Sequence, residues 1–301
     1  MTEKQPADNN LILLALSRFA GIGPRQIGAL LQRYGQPANV LQADRASLSA
    51  IEGMTDVLAE RIKDSDRYLN EAAEFRDQLA RRDIKLHTRL EDSYPRRLFE
   101  LNDPPPLLYG RGRMPDIAKK SVAIVGAERA TNQGIELTVA LARQSAEAGV
   151  EVISSLRRGI AAAAHVGAKA GGGASFAVIS GGFDHIDPTD QMPLAIDVAT
   201  TGGVISEQSP EVKPAGDAYR ASNRLLVGLA QAVVVTELYR DSATTLDLLS
   251  FCNETGKLTF VLIDPRHGAL TDEVSLSEAV KCGAITMVGL DKIGDIIVAL
   301  V

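Results

Sequence analysis

The chain has 301 residues, 45% of them hydrophobic and 23% charged, which is enough for one large α/β core and a smaller satellite domain. Only two cysteines are present, Cys252 and Cys282, far apart and without a partner motif; this argues against a disulfide scaffold or zinc cluster and makes a reducing compartment, the cytosol, the expected location. A formal net charge of -6, 4% aromatics and no Trp exclude a uniformly basic nucleic-acid binder and one that works by stacking bases, so any such site must be a local group of Lys and Arg acting on phosphates.

The first ten residues, MTEKQPADNN, are polar, and no apolar run reaches the ~18 residues of a membrane span, so neither an export signal nor a membrane partner is expected. From Leu11 to about Asn70 apolar residues recur at helical spacing with two similar interruptions, LSRFAGIGPRQIGALLQRYG and LSAIEGMTDVLAERI, which read as a degenerate internal repeat. In the first copy Gly21-Ile22-Gly23-Pro24 predicts a tight hairpin of helices, with Pro24 in the first turn of the second helix. Such a hairpin can aim free N–H groups of Gly21 to Gly23 at a phosphate, or serve only to pack a helical satellite. We expect an all-helical helix-hairpin-helix domain over 1–75 and a connector over 76–118, where YPRRLFELNDPPPLLYGRG carries three consecutive prolines.

From Ser121 the rhythm changes to short β-rich runs separated by helical segments: SVAIVG, VEVISS, SFAVIS, GGVIS, AVVVTE, LTFVLI and AITMV. These predict a Rossmann-like α/β domain over 119–301, a doubly wound, mainly parallel sheet with helices on both faces. The last run, LDKIGDIIVALV, reads as an amphipathic helix, with no winged-helix domain expected after it.

Ligands of such sheets bind beyond the carboxyl ends of the strands, so those loops hold the candidate residues. Gly126 ends the first run and Arg129 follows it, but the loop is not GxGxxG and no acidic residue closes the next strand, so NAD binding is not expected and no cofactor is assigned. Ser154-Ser155-Leu156-Arg157-Arg158-Gly159 precedes an alanine-rich helix and reads as a phosphate cradle, the alternative being helix packing with solvated arginines. Gly181 follows the third run. Arg220 precedes Asn223 and Arg224, which are placed at the opening of a later helix, where they either reach the same crevice or cap the helix and pair with a carboxylate. Arg240-Asp241-Ser242-Ala243-Thr244-Thr245 adds hydroxyls after the fifth run. No nucleophile elbow, Walker lysine loop or metal pattern stands out, the four histidines are scattered, and His165 reads as a packed residue, so catalysis is not expected.

The order of these segments resembles the DNA-processing protein A (DprA, or Smf) family across almost the whole chain, most specifically in VAIVGAERAT, RGIAAAAHVGA, FAVISGGFDHIDP, VISE and NRLLVGLAQAVVVTE. The resemblance implies a single-stranded DNA binder with a basic pocket in its Rossmann-like domain, a homodimer, and a recombinase partner. It carries over to Gly126, Arg158, Gly159, His165, Gly181, Asn223 and Arg224. The chain departs from the family pattern at Ala127 and Glu128, where serine and arginine are usual, and at Ser222 and Ala243; each lost cation and the added carboxylate should weaken phosphate binding. The leading expectation is therefore non-catalytic binding of single-stranded DNA through Arg129, Arg157, Arg158, Arg220 and Arg224, with the Gly21 to Gly23 hairpin as a second contact. A DprA-like antitoxin or regulator that neutralises a partner toxin in an anti-phage module is the alternative. A nucleotide-binding enzyme is the lesser one, since the PGGxGT loop of such families is missing.

Overall fold

A computed structural model describes residues 8–64, 66–239, 243–263 and 270–289. The chain divides into two compact units, Met1–Tyr94 with Phe99–Tyr109, and Pro95–Leu98 with Gly110–Val301.

In the first unit, Asp8 caps α1 (Asn9–Leu14), which continues into a π-helical turn over Ala15–Phe19. The chain then reverses: Ile22 N–H reaches back to Leu16 O at 3.0 Å, Gly21 takes a left-handed φ of 70°, and Pro24 opens α2 (Pro24–Tyr34). After α3 (Pro37–Gln42) the second copy repeats the device, with α4 (Arg45–Ser49), a left-handed Gly53 and α5 (Asp56–Lys63) capped by Thr55. Gln26 ties the copies together by donating to Gly53 O at 3.3 Å. Their apolar faces, including Ile12, Leu16, Ile22, Ile27, Leu30, Leu48 and Ile62, are buried. The segment 76–118 holds the end of α6 (Asp66–Arg81), then β1 (Lys85–Thr88) and β2 (Leu107–Gly112). Neither strand was expected. β1 is only KLHT, and β2 begins directly after the prolines, which delimit it rather than interrupt it; Pro105 O accepts from the buried Tyr94 hydroxyl at 2.8 Å.

The second unit realises all seven predicted runs: β3 (Ser121–Val125), β4 (Glu151–Ser155), β5 (Ser175–Val178), β6 (Gly203–Ser206), β7 (Ala232–Val235), β8 (Leu258–Ile263) and β9 (Ile285–Val288). Their order is β6-β5-β4-β3-β7-β8-β9, and each of these neighbouring pairs is parallel. Helices α7 (Asn132–Glu147), α8 (Ile160–Ala170), α9 (Met192–Thr201), α10 (Gly216–Leu229), α11 (Ala243–Glu254) and α12 (Glu273–Lys281) alternate with the strands. Strands β3, β4, β5, β6 and β7 are buried at almost every position, which is why their sequences run apolar without alternation. One core groups Val122, Ile124, Val152 and Val234 with Leu141, Ile160 and Ala164 of the covering helices. Chain progression reverses between β3 and β7, which makes their carboxyl ends the switch point of the sheet.

The expected final helix over 290–301 and the loop residues Arg240, Asp241 and Ser242 lie outside the described residues. Among the described residues no helix is long and apolar enough to cross a membrane.

Candidate functional site

Strand β3 gives way to Gly126, where a side chain has no room: a Cβ would lie 2.6 Å from Glu237 O and 2.8 Å from Ile160. Ala127 N–H donates to Glu237 O at 2.8 Å, so the loop after β3 is laced to the loop after β7. Thr131 caps α7 through Gly134 N–H, and its own N–H and hydroxyl donate to the Glu237 carboxylate at 2.9 and 3.1 Å. Glu237 is fully buried.

The loop after β4 is clasped to the same place. Gly159 has a φ of 67°, a Cβ there would meet Ala127 O and Glu128 O at 2.4 and 2.5 Å, and Ile160 N–H donates to Ala127 O at 3.1 Å. Helix α8 opens on this glycine without a side-chain cap. Arg157 and Arg158 precede it and, with Gly126, Ala161 and Asn223, line an open cleft together with Val125, Leu156, Val178 and Leu226. Gly126 and Arg129 line an adjoining hollow with Tyr239 and Thr245. The structure thus gathers Gly126, Arg129, Arg157, Arg158, Gly159 and Asn223 at the carboxyl ends of β3 and β4.

Carboxylates accompany most of the cations. Arg157 pairs with Glu128 and lies over the Tyr219 ring at 5.2 Å, while the Tyr219 hydroxyl donates to Asp187 at 3.2 Å. Burial is the largest single influence and opposes the Arg157 charge, but the hydrogen bond and charge attraction of Glu128, together with Tyr219, outweigh it and hold the guanidinium above its ordinary pKa. Burial, reinforced by Asp187, pushes the Tyr219 hydroxyl up and keeps it a donor. Arg158 pairs with Asp190 at 3.0 Å, both side chains being 56% exposed, and Arg220 pairs with Asp247 at 3.6 Å. Arg129 is exposed and has no ion pair among the described residues.

Asn223 and Arg224 do not open a helix. α10 begins at Gly216, so both lie in its interior and neither caps it. Asn223 donates to Thr244 O and Asp247 at 2.9 and 3.1 Å. Arg224 reaches both Glu207 oxygens at 2.6 and 2.8 Å and lines neither hollow, its side chain being only 11% exposed. Gly181 packs under Pro214, where a Cβ would come within 2.8 Å. Gly21 and Gly23 belong to the first unit; Gly21 needs its left-handed φ, whereas Gly23 has an ordinary φ of -70°. His165 is a packing residue: its ring nitrogens meet Ser175 Oγ at 3.0 Å and Ser155 O at 2.9 Å.

Sequence reasoning missed Glu237, Tyr219 and Asp187. Glu237 had a signal, an acidic residue closing the apolar run AVVVTE just past the end of β7; the other two are joined to the cleft only by the fold.

These features define a class: a doubly wound α/β unit whose strand-end loops converge at a switch point, in a chain that also carries a tandem of helical hairpins. Residues 85–293 match the model of the DNA recombination-mediator protein A family, and residues 13–65 match that of the SAM-like helix-hairpin-helix tandem. The chain belongs to the DNA recombination-mediator protein A (DprA/Smf) family. It is 29% identical to protein Smf of Synechocystis sp. over 88% of this chain and 70% of the relative. It is 31% identical to a putative DNA processing protein DprA of Mycobacterium tuberculosis over 74% of this chain and 59% of the relative. Against the X-ray structure of DprA from Streptococcus pneumoniae the TM-score is 0.77 at 26% identity, covering 95% of this chain and 98% of that one. A DprA structure from Helicobacter pylori, described for its single-stranded DNA binding mode, shares the fold at a TM-score of 0.61 and 23% identity, covering 71% and 97%. The chain spans from 52% to 70% of the length of the first curated relatives it matches.

Proposed function

We propose that this chain binds single-stranded DNA through phosphate contacts at the carboxyl ends of β3 and β4, acting by binding rather than by turnover. The observation that carries this reading is the convergence of Arg129, Arg157 and Arg158 beside the uncapped start of α8, in a chain of this family. Magnitudes decide which cations take part. Exposed ion pairs such as Arg158 with Asp190 are worth about 0–1 kcal/mol, so a phosphate can replace the carboxylate at little cost. The enclosed Arg224–Glu207 pair is different, because separating it leaves a desolvated charge at a cost of roughly 3 kcal/mol or more. Arg224 and Asn223 therefore hold α10 in place, Arg220 is an outer contact, and the Gly21 to Gly23 hairpin is a second, independent phosphate contact.

A second reading is favoured by the pairing of Arg157 with Glu128: a cleft neutralised by its own carboxylates suits a protein partner, as an antitoxin-like regulator would require. Titration of labelled single- and double-stranded oligonucleotides at two salt concentrations separates the readings. Single-strand affinity should fall about tenfold or more in the Arg157→Ala, Arg158→Ala double variant with the fold intact, whereas no binding at low salt transfers the weight to the regulator.

A further inference from the structure

Doubly wound proteins commonly seat a ligand phosphate at the N-terminus of the helix that follows the strand at the switch point, because its free N–H groups and dipole attract an anion. Here that helix is α7, and the position is filled from within. Thr131 N–H lies 2.9 and 3.2 Å from the two Glu237 oxygens, and Thr131 Oγ1 is 3.1 Å from Oε2. The Tyr239 hydroxyl also bonds to this carboxylate. Glu237 takes part in none of the ion pairs among the described residues, so these donors and the helix terminus are what compensate its buried charge. The fit leaves no spare volume: a Cβ on Gly134 would lie 1.6 Å from Glu237 Oε2.

We propose that Glu237 is a built-in anion that occupies the phosphate position of the switch-point turn and so determines specificity, barring phosphate from α7 and leaving the α8 turn as the only one of the two open to it. This inference stands apart from the DNA-binding reading, since it concerns what the α7 turn rejects whatever the ligand of the cleft.

The test is anion rescue in the full chain. Glu237→Ala should melt well below the unsubstituted protein in chloride. Added inorganic phosphate or acetate should then raise its Tm by about 5 °C or more beyond an equal ionic strength of chloride, a response that the unsubstituted protein and Glu237→Gln lack. Phosphorus NMR should count one more phosphate site in Glu237→Ala than in the unsubstituted chain. Equal responses in all three proteins, or an unchanged count, would overturn the proposal. If Glu237→Ala does not fold, Glu237→Gln keeps the shape and removes the charge. The tyrosine titration that disappears in Tyr239→Phe, held near pH 12 mainly by burial and by Glu237, should move toward 10 in Glu237→Gln. A titration that stays near 12 rejects the placement of the carboxylate.

Discussion

At Arg157 two attractions compete for one guanidinium. Glu128 holds it across the mouth of the cleft while the Tyr219 ring supports it from beneath, so a phosphate gains the charge only by displacing a carboxylate already in contact. Glu128→Gln removes that competitor without changing the side chain's shape. On the DNA-binding reading, single-strand affinity should rise about threefold to tenfold, and the salt dependence should steepen by roughly 0.7 in log–log slope, the contribution of one added phosphate contact. Anisotropy titrations across a salt series measure both; an affinity that stays level would remove Arg157 from the interface. The same residue shows what sequence alone conveys. Glu128 is legible as a carboxylate beside a phosphate cradle, but its partner is not, nor are the pairs Arg158–Asp190 and Arg224–Glu207, because each carboxylate arrives on a loop or strand end whose position only the tertiary fold sets.

At the scale of elements, α8 is fastened to the sheet by His165, which lies between Ser155 O of β4 and Ser175 Oγ of β5. Nε2 donates to the carbonyl, while Nδ1 shares a hydrogen bond with the Ser175 hydroxyl, which can serve as donor or acceptor. Burial lowers the imidazole pKa to about 4 from 6.5. Above pH 6.5 the ring is neutral in both folded and unfolded chains and the stabilisation is complete. As pH falls from 6.5 toward 4 the unfolded chain takes up a proton that the fold refuses, and stability declines by up to roughly 3 kcal/mol. In urea unfolding the stability gap between the protein and His165→Gln, in which the titrating carboxylates common to both cancel, should be large at pH 7 and shrink by pH 4.5. A gap that does not change would mean that the ring is already solvated. Elements differ in legibility for a physical reason. Strands β3 to β7 announce themselves because burial on both faces demands continuous apolar runs, whereas β1, with the burial pattern of one exposed, one intermediate and two buried residues in KLHT, carries no such run. The sequence places the start of α10 at Asn223 and Arg224, whereas the helix already runs from Gly216, a start that no side-chain cap marks.

Over the whole molecule the net charge of -6 gives no long-range attraction for a polyanion, and the candidate cations mostly carry their own counter-charges. Five free arginines on a single strand would give a log–log salt slope of about 3.5, whereas exchange of internal carboxylates for phosphates releases fewer counterions. The slope for this chain should therefore be about 1 to 2, and association should accelerate only weakly as salt is lowered; a slope near 3.5 would show that the ion pairs are open in solution. The closeness of Gly134 to the Glu237 carboxylate has a consequence for heredity. The two codons lie far apart, yet one residue occupies the volume the other would need, so a lineage that acquires any larger residue at 134 must first shorten 237, and the order of those two changes is not interchangeable.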